Sequence, residues 1–245
     1  MCGRRKMERL YPDWDMDYGD ITLGLLCKIA TQLPLGITVQ FHWNGEPTMY
    51  PNLGNALALF SNRIRQFDTN GKLLVEKAPE IIGNLEVLTI SVIESDPEGD
   101  AQYETVRKFI EIKNSEPPRM VYRLLGNVDK APRWHGLPGI VAPRILHDPM
   151  GSMKYTHPVT IPETGICQDF LTRLSIDRNG HVSPCPRFDP EGKGVIGDIN
   201  YENLEDIWNG QKRRHQKQLH VSGRRDDIPL CKTCEYWGLP SGGDA

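Results

Sequence analysis

No run in the 245-residue chain approaches the roughly 18–20 apolar residues of a membrane span. Mean hydropathy is −0.47, so a bundle of membrane helices is excluded. The first twenty residues are charged and aromatic rather than apolar, and no secretory leader is expected there. A dominant sign of charge is missing too. The net charge is −3 and the pI about 6.2, where a general nucleic-acid binder would be strongly basic. Internal repeats and low-complexity tracts are also absent. A soluble, cytoplasmic protein with no nucleic-acid or membrane partner is the expectation. Cysteine is scarce through two thirds of the chain: only Cys2 and Cys27 precede Cys167, Cys185, Cys231 and Cys234. In a reducing compartment such clustering points to metal or redox chemistry rather than disulfides.

What is present reads as alternating helix and strand. Ile21, Leu25, Leu26, Ile29 and Leu33 recur at helical spacing behind Asp20, the expected N-cap. Within that helix Cys27 is expected to be a small buried residue. ITVQFH (37–42) is a strand. NLGNALALFSNRIRQF (52–67) is a helix ending in a short strand, broken by DTNG (68–71). LLVEKAPEII (73–82) is a helix interrupted by Pro79, and VLTISVI (87–93) is a strong strand. AQYETVRKFIEIKN (101–114) is an amphipathic helix, followed by strands at MVYRLLG (120–126) and GIVAPRIL (139–146). This alternation implies βαβ units and a mainly parallel sheet. After a Gly- and Pro-rich stretch at 147–165 the texture changes. A two-residue hairpin is expected at Asn179-Gly180, then one helix over 203–220, then PLCKTCEYWG (229–238). The domains are placed at 1–160 and 161–245. The second is small and needs a metal or docking to hold it.

Cys167, Cys185, Cys231 and Cys234 offer four thiolates. The CxxC pair brings two sulfurs from one turn to one centre, and the hairpin lifts Cys185 toward it. Four cysteines can hold tetrahedral zinc or an iron–sulfur cluster, and the gaps of seventeen and forty-five residues do not choose between them. A second candidate site is HWNGEPTMYPNL (42–53), directly after the first strand. Ligands of parallel sheets bind at the carboxyl ends of strands. There Gly45 permits close backbone approach, Glu46 offers a carboxylate to a cation, and Pro47 fixes the turn. DTNG and Ser91 fall at equivalent places on later strands.

The series MCGR, NGEP, TNG and ISVI resembles the radical S-adenosylmethionine superfamily. The tail, from IDRNGHVSPC through IGDINYENLEDIWNG to LCKTC, resembles the SPASM or twitch auxiliary-cluster domain. The resemblance implies a partial (β/α) barrel followed by a small cysteine-rich domain. It aligns Cys2 with the third cysteine of a CxxxCxxC loop holding a four-iron, four-sulfur cluster. The first strand and two cysteines would then lie upstream of Met1. It further implies that Gly45, Glu46 and Pro47 receive the methionine amino group and that Thr69 and Asn70 lie near the nucleoside. Ser91 and Arg123 would contact ribose or carboxylate, with adenine near Ile140 and Val141. The implied chemistry is a 5′-deoxyadenosyl radical that abstracts hydrogen from a peptide, protein or small-molecule substrate, with flavodoxin or ferredoxin as electron donor. The tail cysteines would carry one auxiliary iron–sulfur cluster.

Two other readings follow from the same residues: an inactive fragment or degenerate scaffold that keeps one metal site, and a zinc-binding interaction module. KRRHQKQLHVSGRR (212–225) is a local basic run, a solvated face or a docking surface for an acidic partner. His215 and His220 within it are expected to be solvated. Trp208 and Trp237 are expected to pack near the cluster.

Overall fold

The computed structural model describes residues 8, 11–13, 18–42, 45–128, 130–144, 167–186, 189, 191–232 and 234. Cys2 and Trp237 lie outside them. The described residues fall into two compact units, one running from residue 34 to 144, the other taking residues 8 to 33 together with those from 167 onward.

The first unit is a parallel sheet of five strands lying side by side in chain order: β1 (Thr38–Gln40), β2 (Ile64–Thr69), β3 (Val87–Ile93), β4 (Arg119–Leu125) and β5 (Ile140–Arg144). Between them run α2 (Leu53–Ala58), α3 (Leu74–Ile81), α4 (Gly99–Lys113) and α5 (Ala131–His135), numbered after α1 (Leu23–Ala30) of the other unit. A parallel strand can be reached only by a crossover, and here each connection carries a helix. The period-2 alternation of the strands then sorts the side chains. Phe67, Leu88, Ile90 and Tyr122 are fully buried with Leu74, Ile81, Val106 and Phe109 of the helices. Each such side chain contributes about 1.5–3 kcal/mol by leaving water. The residues between them, Gln66 and Asp68 on β2, Ser91 on β3 and Arg123 on β4, point to the other face. Register sets Ser91 opposite Arg123 and Asp68 opposite Thr89.

Pro79 stays inside α3, near its end. Strand β2 runs through Asp68 and Thr69, so the chain breaks later than expected, at Gly71 (φ +77°). β1 is the short edge of the sheet, ending before Phe41 and His42.

In the second unit α1 is capped by Thr22, whose Oγ1 accepts from Leu25 N at 3.1 Å. Asp20 is too far upstream to reach those amides. Cys27 is exposed, contrary to expectation. At about 100° per residue Leu25, Leu26 and Ile29 share one face, and Cys27 falls opposite it. The helix packs with the C-terminal residues: Lys28 Nζ donates to Asn200 O at 2.9 Å and Leu204 N to Gln32 Oε1 at 2.8 Å.

α6 (Gln168–Thr172) leads to a three-stranded antiparallel sheet, β6 (Ser175–Ile176), β7 (His181–Ser183) and β8 (Gly197–Asp198). Its hairpin is wider than two residues. Ile176 pairs with Val182, and the Asp177 carboxylate accepts from Asn179 N and His181 N, both at 2.9 Å. The helix expected over 203–220 is two helices, α7 (Leu204–Trp208) and α8 (Gln211–Val221). Gly210 separates them in an extended conformation, where a Cβ would sit 2.9 Å from Asp206 O. A short α9 (Pro229–Lys232) carries Cys231.

Candidate functional site

At the carboxyl ends of β1 and β2 two turns are tied together by one carboxylate. Glu46 precedes a 3-10 turn, Pro47–Met49, whose start Pro47 favours through its fixed φ. Glu46 Oε1 accepts from Thr48 N at 3.1 Å, Thr48 Oγ1 at 2.7 Å and Thr69 Oγ1 at 2.6 Å. Its Oε2 accepts from Asn70 N at 2.9 Å. Thr69 Oγ1 in turn accepts from Gly71 N at 3.0 Å, and Asn70 Oδ1 from Lys72 N at 2.9 Å. So Glu46, Thr69 and Asn70 form one hydrogen-bonded set. Among the described residues a Cβ on Gly45 would meet nothing within 4 Å, which leaves the outer side of the turn open.

The end of β3 joins through a residue the sequence did not single out. Gln102, buried on α4, donates from Nε2 to Asn70 O at 2.8 Å and to Ser91 O at 2.9 Å. Its Oε1 is buried without a hydrogen-bond partner. A glutamine at helical spacing with Val106 and Phe109 was the available signal. Gln102 therefore holds the TNG turn against β3, and Ser91 enters the set through its carbonyl.

Arg123 meets a different partner. Its Nη1 hydrogen-bonds Asp68 Oδ2 on the face away from the helices. His42 lies against the same carboxylate. Its Nδ1 accepts from Asp68 N at 2.9 Å. Nε2 is 3.5 Å from Asp68 Oδ2 and 2.8 Å from the Gln40 side-chain amide. All three side chains are partly accessible, with exposures of 14–20%. Ile140 is exposed and Val141 half-buried against the sheet core.

The tail cysteines sit at structural junctions: Cys167 at the start of α6, Cys185 just after β7, and Cys231 and Cys234 on the turn closing α9. None of the five described cysteines is in a disulfide. Among the described residues no three His, Cys, Asp or Glu side chains converge as a metal site. The donor chemistry fits a thiolate-bound centre, and the surroundings of the CxxC turn fit it further. Arg225 Nη1 donates to Cys231 O at 3.0 Å and its Nη2 to Cys234 O at 3.2 Å, which brings a cation to a turn bearing two thiols.

His220, expected to be solvated, is buried, because its place on α8 puts it on the inner side with Arg213 and Leu219. Its Nε2 is 3.7 Å from Cys231 Sγ, and its ring stacks on Phe170 with centroids 4.8 Å apart. Burial, with the Arg225 charge, holds the imidazole below the usual histidine range. His215 is exposed as expected. Trp208 packs under the Arg213 guanidinium, 3.4 Å from the ring centroid.

Residues 167–235 match the model of the SPASM family, an iron-sulfur cluster-binding domain, and so take in all four tail cysteines. No curated protein matches the chain. Among solved structures, BtrN in complex with AdoMet and 2-DOIA is similar with a TM-score of 0.63 and 17% identity, over 94% of this chain and 86% of BtrN. Selenomethionyl BtrN in an open conformation gives 0.52 and 18%, over 89% and 81% of the two chains. Native anSMEcpe with bound AdoMet gives 0.50 and 12%, over 83% and 76%.

Proposed function

We propose that this chain, which has the partial-barrel fold of radical S-adenosylmethionine enzymes and carries a SPASM domain in its C-terminal part, is a radical S-adenosylmethionine enzyme acting by hydrogen abstraction. The observation that carries the reading is the Glu46 staple. One carboxylate locks the GEP and TNG turns into a single rim at adjoining strand ends, where parallel sheets bind ligands. When bound, S-adenosylmethionine and a reduced four-iron, four-sulfur cluster supply reductive cleavage to a 5′-deoxyadenosyl radical.

The chain's own residues hold, orient and shield. The backbone around Gly45, Glu46 and Pro47 offers its polar groups to the methionine ammonium, and Glu46 adds negative charge there. Thr69 and Asn70 border the nucleoside, and Ser91 lies beside the ribose. Arg123 presents its guanidinium to a carboxylate, with Asp68 as its resting partner. Together Asp68, His42 and Arg123 offer charge of both signs to a polar substrate such as a peptide side chain. Cys2 is assigned to the first cluster as one of the three thiolates that cluster takes. Cys167, Cys185, Cys231 and Cys234 are assigned to the auxiliary cluster, whose reductant is an acidic carrier such as flavodoxin or ferredoxin.

The test is anaerobic reconstitution with iron and sulfide, then incubation with S-adenosylmethionine and dithionite. Formation of 5′-deoxyadenosine by protein carrying all three thiolates of the CxxxCxxC loop, lost at least tenfold in Glu46→Gln, is the expected result. Iron-loaded protein that binds no S-adenosylmethionine overturns the reading.

A further inference from the structure

Among the described residues His220 is the one histidine hydrogen-bonded to a tail cysteine, and its environment is built rather than incidental. It is 4% exposed, on the inner side of α8. Phe170, in the first turn of α6, stacks on its ring at 4.8 Å and 29° between planes. Phe170 is held in turn: Arg213 stands over its ring at 5.4 Å and donates to Phe170 O and Leu171 O, both at 3.2 Å. The imidazole therefore has a fixed plane, and its two nitrogens have different fates. Nδ1 is buried with no hydrogen-bond partner, while Nε2 lies 3.7 Å from Cys231 Sγ. A neutral imidazole carries one N–H. On Nδ1 that hydrogen would be a buried orphan donor, which costs about 1–3 kcal/mol. On Nε2 it is directed at sulfur, and Nδ1 keeps only an unused lone pair.

We infer that His220 is a positioning residue for the auxiliary cluster. It donates Nε2–H to the thiolate sulfur of Cys231 and raises the cluster's reduction potential, so that the tail is set to accept an electron. A hydrogen bond to a cluster sulfur stabilises the more negative, reduced state. The Arg225 guanidinium, bound to the carbonyls of Cys231 and Cys234, adds positive charge to the same edge. This inference rests on the reading that Cys231 is a cluster ligand, and its test separates the two.

The full chain is reconstituted with iron and sulfide, and the midpoint potential is taken from a titration followed by electron paramagnetic resonance. His220→Phe keeps an aromatic ring against Phe170 but removes the N–H. At the parent's midpoint its reduced fraction-to-oxidised ratio should fall about tenfold, which is about 59 mV for a one-electron couple. His220→Gln, which restores an N–H at similar reach, should recover most of the shift. A His220→Phe potential equal to the parent's overturns the inference. So does His220→Phe protein with the parent's circular dichroism but no iron, because His220 is then a ligand.

Should both variants fail to fold, the parent labelled with 15N-histidine decides by pulsed resonance on the reduced cluster. Weak nitrogen coupling is the expected result, and absent coupling or the strong coupling of direct ligation overturns it. Zinc in place of iron in the parent defeats the cluster reading itself and is recognised by metal analysis before any potential is measured.

Discussion

Glu46 carries two demands at once, because the oxygens that give the rim its negative charge also receive four donors from the chain. Glu46→Gln would keep the shape but turn an NH2 toward one of those donors. Leaving a buried or half-buried donor unmet costs about 1–3 kcal/mol. The variant's melting temperature should fall accordingly, and a melt identical to the parent's would remove the staple from the account. Arg65 and Glu86 give the second residue-scale case. Arg65 is buried, and Glu86 Oε1 and Oε2 take its Nη2 at 2.6 Å, its Nε at 3.1 Å and its backbone N at 2.6 Å. Burial raises the Glu86 pKa, but the hydrogen bonds and charge of Arg65 outweigh it, and the net shift is downward. The unfolded carboxyl titrates near 4.3. A depressed folded value gives stability that is present above that pH and lost as pH falls through the folded value. Urea unfolding from pH 6 to 3 should show a steeper loss for the parent than for Glu86→Gln. The difference at pH 6 should be only about 1 kcal/mol, since Glu86 is 40% exposed and screened. Parallel curves would contradict this.

Between elements, the tightest approach of a backbone atom to a described glycine is where the chain enters β5. Gly139 has φ +148°, and a Cβ there would lie 2.7 Å from Met120 O and 2.9 Å from Tyr122 Cε2. Gly139→Ala must displace β4 backbone or the buried Tyr122, whose hydroxyl donates to Pro138 O at 2.9 Å. A loss of about 2–4 kcal/mol is expected, in line with strain at a special φ, and an unchanged urea midpoint would refute it. The same junction shows what the sequence made legible. β3 over Val87–Ile93 was readable to the residue, since a run rich in β-branched residues between polar turns has few other conformations. The strand-end turns were readable too, because GEP and TNG combine residues with fixed turn roles. Hidden were the long-range partners. Nothing in the periodicity says that Gln102 will bridge Asn70 and Ser91 across 32 and 11 residues, or that Arg123 will meet Asp68. The break at Gly210 was overlooked because a lone glycine is tolerated in a helix pattern, and only the close Asp206 carbonyl makes it decisive. Once that break resets the helix, His220 turns inward, and its burial could not be foreseen from the basic run around it.

Across the whole molecule, charge is distributed against the average. The chain is acidic overall at −3, yet α8 contains no carboxylate and exposes Lys212, Arg214 and Lys217. Among the described residues no carboxylate makes an ion pair with any of the three, whereas Arg224, further on, is paired with Asp227. Three uncompensated cations exposed along one helix raise the local concentration of an acidic partner and speed its encounter. The buried side of the same helix carries His220, 3.7 Å from Cys231, so an acidic reductant docked on these cations would deliver its electron close to the tail thiolates. Reversing all three charges, Lys212→Glu with Arg214→Glu and Lys217→Glu, touches only exposed positions and should leave the fold intact. With flavodoxin as donor, the parent's reduction rate should fall as salt shortens the Debye length from about 10 Å at 0.1 M to about 3 Å at 1 M. The triple variant should be about tenfold slower at low salt and nearly independent of salt. With dithionite, a small donor that needs no docking face, the two proteins should be reduced alike. A variant that flavodoxin reduces as fast as the parent at low salt would place the docking surface elsewhere.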